Sequence, residues 1–129
     1  MVTVITRTIG HNPPPPALPT YDYGSFTLAE ADMANIGTSA DLVANDEAIV
    51  FEADAGTYNE NVQILDGLTV DATRNITFTA AAGSEHGGSS DSGVILNKSS
   101  NTSWAIFCRL PYTVLRGLVV LNEYGAVGN

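Results

Sequence analysis

The chain has 129 residues, enough for one domain with a core and too few for two. It is 44% hydrophobic and only 15% charged; Gly, Ser, Thr and Asn fill the difference, and runs of Val, Ile and Thr favour β structure. Fourteen acidic residues against five basic ones give a net charge of −9, which argues against nucleic-acid and anionic-membrane partners. Lys98 is the sole lysine, a composition that also fits a salty habitat. The start "MVTVITRTIG" does not read as a signal peptide, and no stretch is long and apolar enough to cross a bilayer. Cys108, the one cysteine, precludes an intrachain disulfide and, within the apolar run "AIFCRL", is expected as a small core residue.

In chain order, residues 1–9 alternate, with Val2, Val4 and Arg7 assigned to one face and Thr3, Ile5 and Thr8 to the other. The expectation is a short strand at a sheet edge or in a partner's sheet. "GHNPPPPALP" comes next. Pro13, Pro14, Pro15 and Pro16 cannot enter a helix or a sheet interior, so a stiff polyproline II spacer is expected. It is either an inert linker or a docking arm lying in a partner's groove. Thr27 and Glu30 have the capping-box spacing. Leu28, Ala31 and Asn35 share one helical face, Ala29, Met33 and Ile36 the neighbouring one, and Gly37 stands where a helix would stop; a short amphipathic helix over 27–36 follows.

From residue 46 onward, short β-rich runs alternate with polar turns: "EAIVFEA" (47–53), "NVQIL" (61–65), "LTVDA" (68–72), "NITFTAA" (75–81), "GVILN" (93–97), "WAIFCRL" (104–110) and "TVLRGLVVLN" (113–122). No helical pattern separates them, which excludes βαβ units. Only the "DG" at 66–67 has hairpin chemistry. Short strands without hairpin turns predict a coil that keeps turning the same way, a parallel β-solenoid of about three rungs.

Several phrases then carry a resemblance. "GTYNENV" (56–62) resembles the "G-x-Y-x-E-x-V" start of pectin methylesterases and many other right-handed parallel β-helix proteins. "TRTIG" (6–10), "YDYGSF" (21–26), "DLVANDE" (41–47) and "DATRNITFTAAAGSEHGG" (71–88) are similar to structural β-helix proteins of tailed bacteriophages and prophages. The run at 13–16 departs from that pattern, where a short glycine-rich loop is usual. The resemblance implies an all-β, pectin-lyase-like fold: an extended arm over 1–24, and a β-helix domain over 25–129 with a capping helix at 27–36 and coils at 46–122. It further implies a virion structural protein made in the host cytoplasm. Such a protein would decorate or cement a capsid, or attach a head fibre or spike. Its partners would be the major capsid protein, fibre or tail subunits, and further copies of itself. The N-terminal region of a tail fibre or tailspike is an alternative.

The carboxylates of "EADAGTYNENVQI" (52–64) raise a second possibility, sugar chemistry. Glu52 and Asp54 are two apart in a strand, hence on one outward face, with Phe51 and Ala53 inward. Glu60 is placed in a bend shaped by Asn59, Glu60 and Asn61, with Val62 and Ile64 entering the core. A glycosidase pair of Asp54 with Glu60 or Asp71 would need two carboxyls roughly 5–9.5 Å apart in different environments. The catalytic carboxylates and arginine of pectin methylesterases lie in coils downstream of this motif, so no catalytic residue carries over. Glu85, His86 and Asp91 in "GSEHGGSSDSG" are too sparse for zinc or calcium, and His11 has no ligand spacing. No catalytic, cofactor or metal residue is assigned. Sequons at Asn75, Asn97 and Asn101 read as incidental; Asn97, Asn101 and Asn122 could stack between rungs. Trp104, Phe107 and Leu110 are expected in the core or an interface.

Partner binding is assigned to Val2, Val4, Ile5, Pro13, Pro14, Pro15, Pro16, Leu18 and Tyr21, through strand addition and apolar burial. The helix can cap one end of the coil, whereas "LRGLVVLNEYGAVGN" suggests an end covered by more chain or by another subunit. A carbohydrate-active enzyme, or a glycan-binding module using Tyr21, Tyr23, Tyr58 or Tyr112 as platforms, completes the alternatives.

Overall fold

Residues 1–65, 67–101 and 104–121 are described by a computed structural model. Asp66 of the "DG" signal, the hydroxyl residue of the Asn101 sequon and the stacking position Asn122 lie outside them. The elements are β1 (Thr3–Ile9), α1 (Phe26–Asp32) with a 3-10 turn (Met33–Asn35), α2 (Leu42–Asn45), β2 (Glu47–Ala53), β3 (Gly56–Asn59), β4 (Val62–Ile64), β5 (Ile76–Ala80), β6 (Val94–Asn97), β7 (Ile106–Cys108), β8 (Val114–Arg116) and β9 (Leu118–Leu121).

Apart from β1 with β2, consecutive strands do not pair. The sheets run β1-β2-β5-β8, β3-β6-β9 and β4-β7, with every pairing parallel. From β2 onward each strand bonds to the one three further along. Parallel pairs need a long crossover, commonly a helix. Between β1 and β2 the crossover carries the helices; from β2 onward it consists of strands of the other two sheets. The chain is therefore all-β with few helices, and those helices precede β2.

Alternation explains the core. In β2, Ile49, Phe51 and Ala53 are buried, and their register partners in β5 are Ile76, Phe78 and Ala80, buried as well. Like stacks on like, and the Phe51 and Phe78 rings lie 4.7 Å apart at 16°. Tyr58, Val94 and Leu96 from the second sheet and Val62 and Ile64 from the third join the same core, closed from one side by Phe26, Ala29, Met33 and Leu42 of the helical region. Glu52 and Asp54 point outward, as the two-residue period requires.

Several expectations shift. Arg7 shares a face with Ile5 and Ile9 because its register partner is the inward Phe51; the period of two separates it from Val4. The helix spans 26–32 plus the 3-10 turn, and its N-cap is Ser25, whose hydroxyl accepts from the Leu28 N–H, rather than Thr27. "LTVDA" forms only the single bridge Asp41↔Thr69, because Asp71 turns the backbone by accepting from the Thr73 and Arg74 N–H groups. "GTYN", outside the expected strand runs, is strand β3 paired to β6, so Asn59, expected in the bend, ends a strand. "TVLRGLVVLN" is two strands broken at Gly117, with φ +68 and an approach to Ala80 that would place an added Cβ 3.3 Å from the Ala80 Cβ. Cys108, expected in the core, is exposed: it lies beside the buried Ile64 in register, but on a strand at the edge of its sheet.

Candidate functional site

The acidic stretch 52–64 lies where the two chain regions 1–24 and 47–65 meet. Asp54, just past β2, accepts from the Tyr21 hydroxyl through one carboxylate oxygen and from the Ser84 hydroxyl at 2.7 Å through the other. These two hydrogen bonds, Tyr21 first, hold its carboxyl below the usual range. The same hydrogen bond raises the Tyr21 phenol. Tyr21 also lies flat against Gly10, where an added Cβ would sit 2.5 Å from the ring. Tyr58 donates to the Asp54 carbonyl at 2.8 Å and stacks on His11, centroids 4.6 Å apart. Burial pushes the Tyr58 phenol up to about 12.

Glu60 has a different task. Its two carboxylate oxygens accept from the Phe26 and Thr27 N–H groups at 2.9 and 2.8 Å. A helix leaves its first N–H groups without intrahelical partners and carries partial positive charge there, so a carboxylate is a fitting acceptor. Glu60 thus fastens α1 to the end of β3 from 34 positions away. Asp71 is engaged elsewhere, with its own turn, the Arg74 guanidinium at 2.6 Å, and through Arg74 with Asp46. The backbone N–H groups of Arg74 and Thr73 hold the Asp71 carboxyl down to about 2. The three carboxylates singled out for sugar chemistry each have a partner in the fold.

The residues assigned to partner binding fall into three environments. Val4 is 59% exposed and outward on β1, whereas Val2 and Ile5 are half-buried. Thr3 N–H bonds to the Asp46 carbonyl and the Ile9 carbonyl to Asp54 N–H, so the odd residues of β1 face β2. The N–H groups of Val4, Thr6 and Thr8 therefore point the other way, and that of Thr8 is held by Asp22 at 2.8 Å. β1 is an edge strand of the chain's own sheet. Pro14, Pro15, Pro16 and Leu18 are exposed, Leu18 by 82%, while Pro13 is half-buried. The proline run does not lead away as a spacer: Ala17 N–H turns back to the Pro14 carbonyl, and the Asn12 side-chain oxygen accepts from the Thr20 and Tyr21 N–H groups. The segment is a loop closed at its base. Tyr21 belongs to that base.

Loop 81–93 holds Ser84 buried and Glu85, His86 and Asp91 exposed, and among the described residues no three His, Cys, Asp or Glu side chains cluster to hold a metal. No described helix is long and apolar enough to cross a membrane. Asn59 and Asn97 stack in register at the ends of β3 and β6. Asn61, expected in the bend, accepts from Ser99 and Ser100 and donates to the Trp104 carbonyl at 2.7 Å, a tie to the following rung that its place in the bend did not announce. Leu110 is buried, Trp104 half-buried and Phe107 exposed. Tyr112 is exposed, in contrast to Tyr58. The fold and site thus define an all-β chain of parallel sheets with a loop tethered at its base. No family model, curated protein or solved structure matches this chain.

Proposed function

We propose that the three sheets are the faces of a short right-handed parallel β-helix, and that the protein is a structural component of a tailed-phage virion. It decorates the capsid or attaches a fibre or spike. The strand-to-strand step of three and the like-on-like register of Ile49 with Ile76 and Phe51 with Phe78 support the coil reading. One observation carries the docking reading. The apolar crown of residues 14–19 is exposed, yet anchored at both ends by Asn12, Tyr21 and Gly10. An anchored loop loses less freedom on binding than a free arm does. Structural employment of Asp54, Glu60 and Asp71 supports a role without catalysis.

Deleting residues 1–19 would remove β1 together with the buried Ile9. The cleaner experiment replaces residues 13–19 with a Gly/Ser segment of equal length and leaves Asn12 and Tyr21 in place. Particles assembled with this variant lose the protein, while its circular dichroism and melting temperature stay unchanged. Full occupancy on particles would sink the docking reading.

A further inference from the structure

The charge of the chain is divided along its length. All but one of the fourteen acidic residues lie at or before Asp91, the exception being Glu123. Between 92 and 121 there is no carboxylate, and three of the five basic residues, Lys98, Arg109 and Arg116, lie there. Because the strands stack in order, this division is spatial. The four-stranded sheet begins at β1, with Asp22 at Thr8 and Asp32 at Tyr23 alongside and Asp46 paired to Arg74 and the N-terminus, and ends at β8, which carries the exposed Arg116.

Both limits of that sheet expose strand edge. At β1 the outward N–H groups of Val4 and Thr6 face away from β2. At β8 no further described strand follows, and Leu115, in register with the buried Phe78, is 41% exposed although it sits at an inward position. Leu118 and Val120 of β9 sit likewise over the buried Val94 and Leu96, and Val120 is 45% exposed.

We infer that the β8 edge of one copy docks on the β1 edge of a second copy, head to tail, continuing the parallel sheet. The inference rests on the coil reading above, and the partner is another copy of this chain because its β1 offers a parallel, open edge beside the Asp22 carboxylate to a β8 edge that carries Arg116 and the uncovered Leu115. Inward positions must lie over inward ones across the new pair, so the register shift from that within the chain is even. Thr8 is already engaged by Asp22 and Tyr23, which leaves Val4 to Thr6 for pairing. Leu115 then lies over Ile5 and Arg116 over Thr6, next to the Asp22 carboxylate. The contact is heterologous, with different surfaces on the two copies, so assembly is open-ended.

Sedimentation velocity tests this with variants that each block one edge. Thr6→Pro removes an outward N–H that β1–β2 pairing does not use, and edge strands tolerate proline. Val4→Lys burdens the same edge should the proline disturb folding. Arg116→Glu reverses the charge of the other edge. Wild-type protein at low salt shows sizes that rise steadily with concentration and fall towards monomer at high salt. Each variant alone, folded by circular dichroism, is monomeric. A mixture of Thr6→Pro with Arg116→Glu forms a one-to-one dimer and nothing larger, because each supplies the edge that the other lacks. A wild type that stays monomeric at every concentration overturns the inference, as does a mixture no larger than its parts or a closed dimer that survives Thr6→Pro. Assembly in solution without occupancy on particles would leave this contact standing and remove the virion role; the reverse result would do the opposite.

Discussion

The first and last thirds of the molecule use opposite means to hold the same kind of sheet. Up to β5 the carboxylates act as tethers. Asp22 holds Thr8, Asp41 caps α2, Glu47 accepts from the Thr38 N–H at 2.8 Å, Asp54 ties Tyr21 to Ser84, Glu60 caps α1 and Asp71 closes its own turn. From Ser92 to Leu121 no carboxylate exists, and β7, β8 and β9 are joined to the preceding rung by backbone ladders. The comparison shows how a chain of net charge −9 with few cations stays folded. Its anions are neutralised mainly by backbone N–H groups and hydroxyls, and the charged hydrogen bonds concentrate where loops must be fixed rather than where strands stack.

The sharpest way to break this comparison is to make one cut in each region at register-equivalent positions. Phe78→Ala opens a hole between Phe51 and Phe26 and costs about 3–5 kcal/mol in urea unfolding. Leu115→Ala, its partner on β8, costs about 1 kcal/mol, since much of that side chain is already in water. Equal losses would mean that the last rung is as buried as the middle one.

Next come the tethers. Glu60→Ala leaves two N–H groups at the start of α1 without their acceptor and costs about 1–2 kcal/mol. Ser25→Ala, which removes one local cap, costs about 1 kcal/mol or less. If Ser25 proved the more costly, the distant carboxylate would be incidental to helix formation.

Acid has a smaller and more diagnostic effect. Asp71 titrates near 2 in the folded chain, below the unfolded carboxylate near 4, so its contribution is complete above pH 4 and disappears as pH falls towards 2. The urea midpoint of the wild type falls over that window, and Asp71→Asn flattens the fall. At the alkaline end the sign is reversed. Tyr23 and Tyr58, raised to about 12, keep their protons after unfolded tyrosines have lost theirs, so stability declines from pH 10 to 12. Absorbance titration near 295 nm should show Tyr23 and Tyr58 ionising late, with Tyr21 also displaced upward by its hydrogen bond to Asp54.

How much of this was legible in the sequence follows from the range of each interaction. β2 is legible from "EAIVFEA" alone, because burial of alternate residues is a local pattern. β3 is not, since Gly56 and Asn59 bracket only two good strand formers and the strand exists through its pairing with 94–97. The Thr27/Glu30 spacing suggests a cap, but Glu30 turns towards the Leu65 N–H while a carboxylate from 34 residues away takes the helix amides. Nothing within a local window contains that partner. Exposure of Cys108 likewise depends on what lies beyond its strand, not on the apolar letters around it. The exposed prolines and Leu18 were readable; the closure of their loop by Asn12 was not, as an asparagine before prolines reads simply as a turn former.

The step of three between paired strands also governs how the chain reaches this structure. Apart from β1 with β2, no two strands adjacent in sequence pair; among the strand pairs the shortest loop to be closed runs from Val94 to Leu118, and the longest from Thr3 to Glu47 or from Val62 to Ile106. No hairpin can form early and act as a template, so the entropy of large loops is lost before any ladder compensates for it. Refolding should therefore be slow for a chain of this size, and the stacked Phe51 and Phe78 mark the earliest pairing worth probing by kinetics.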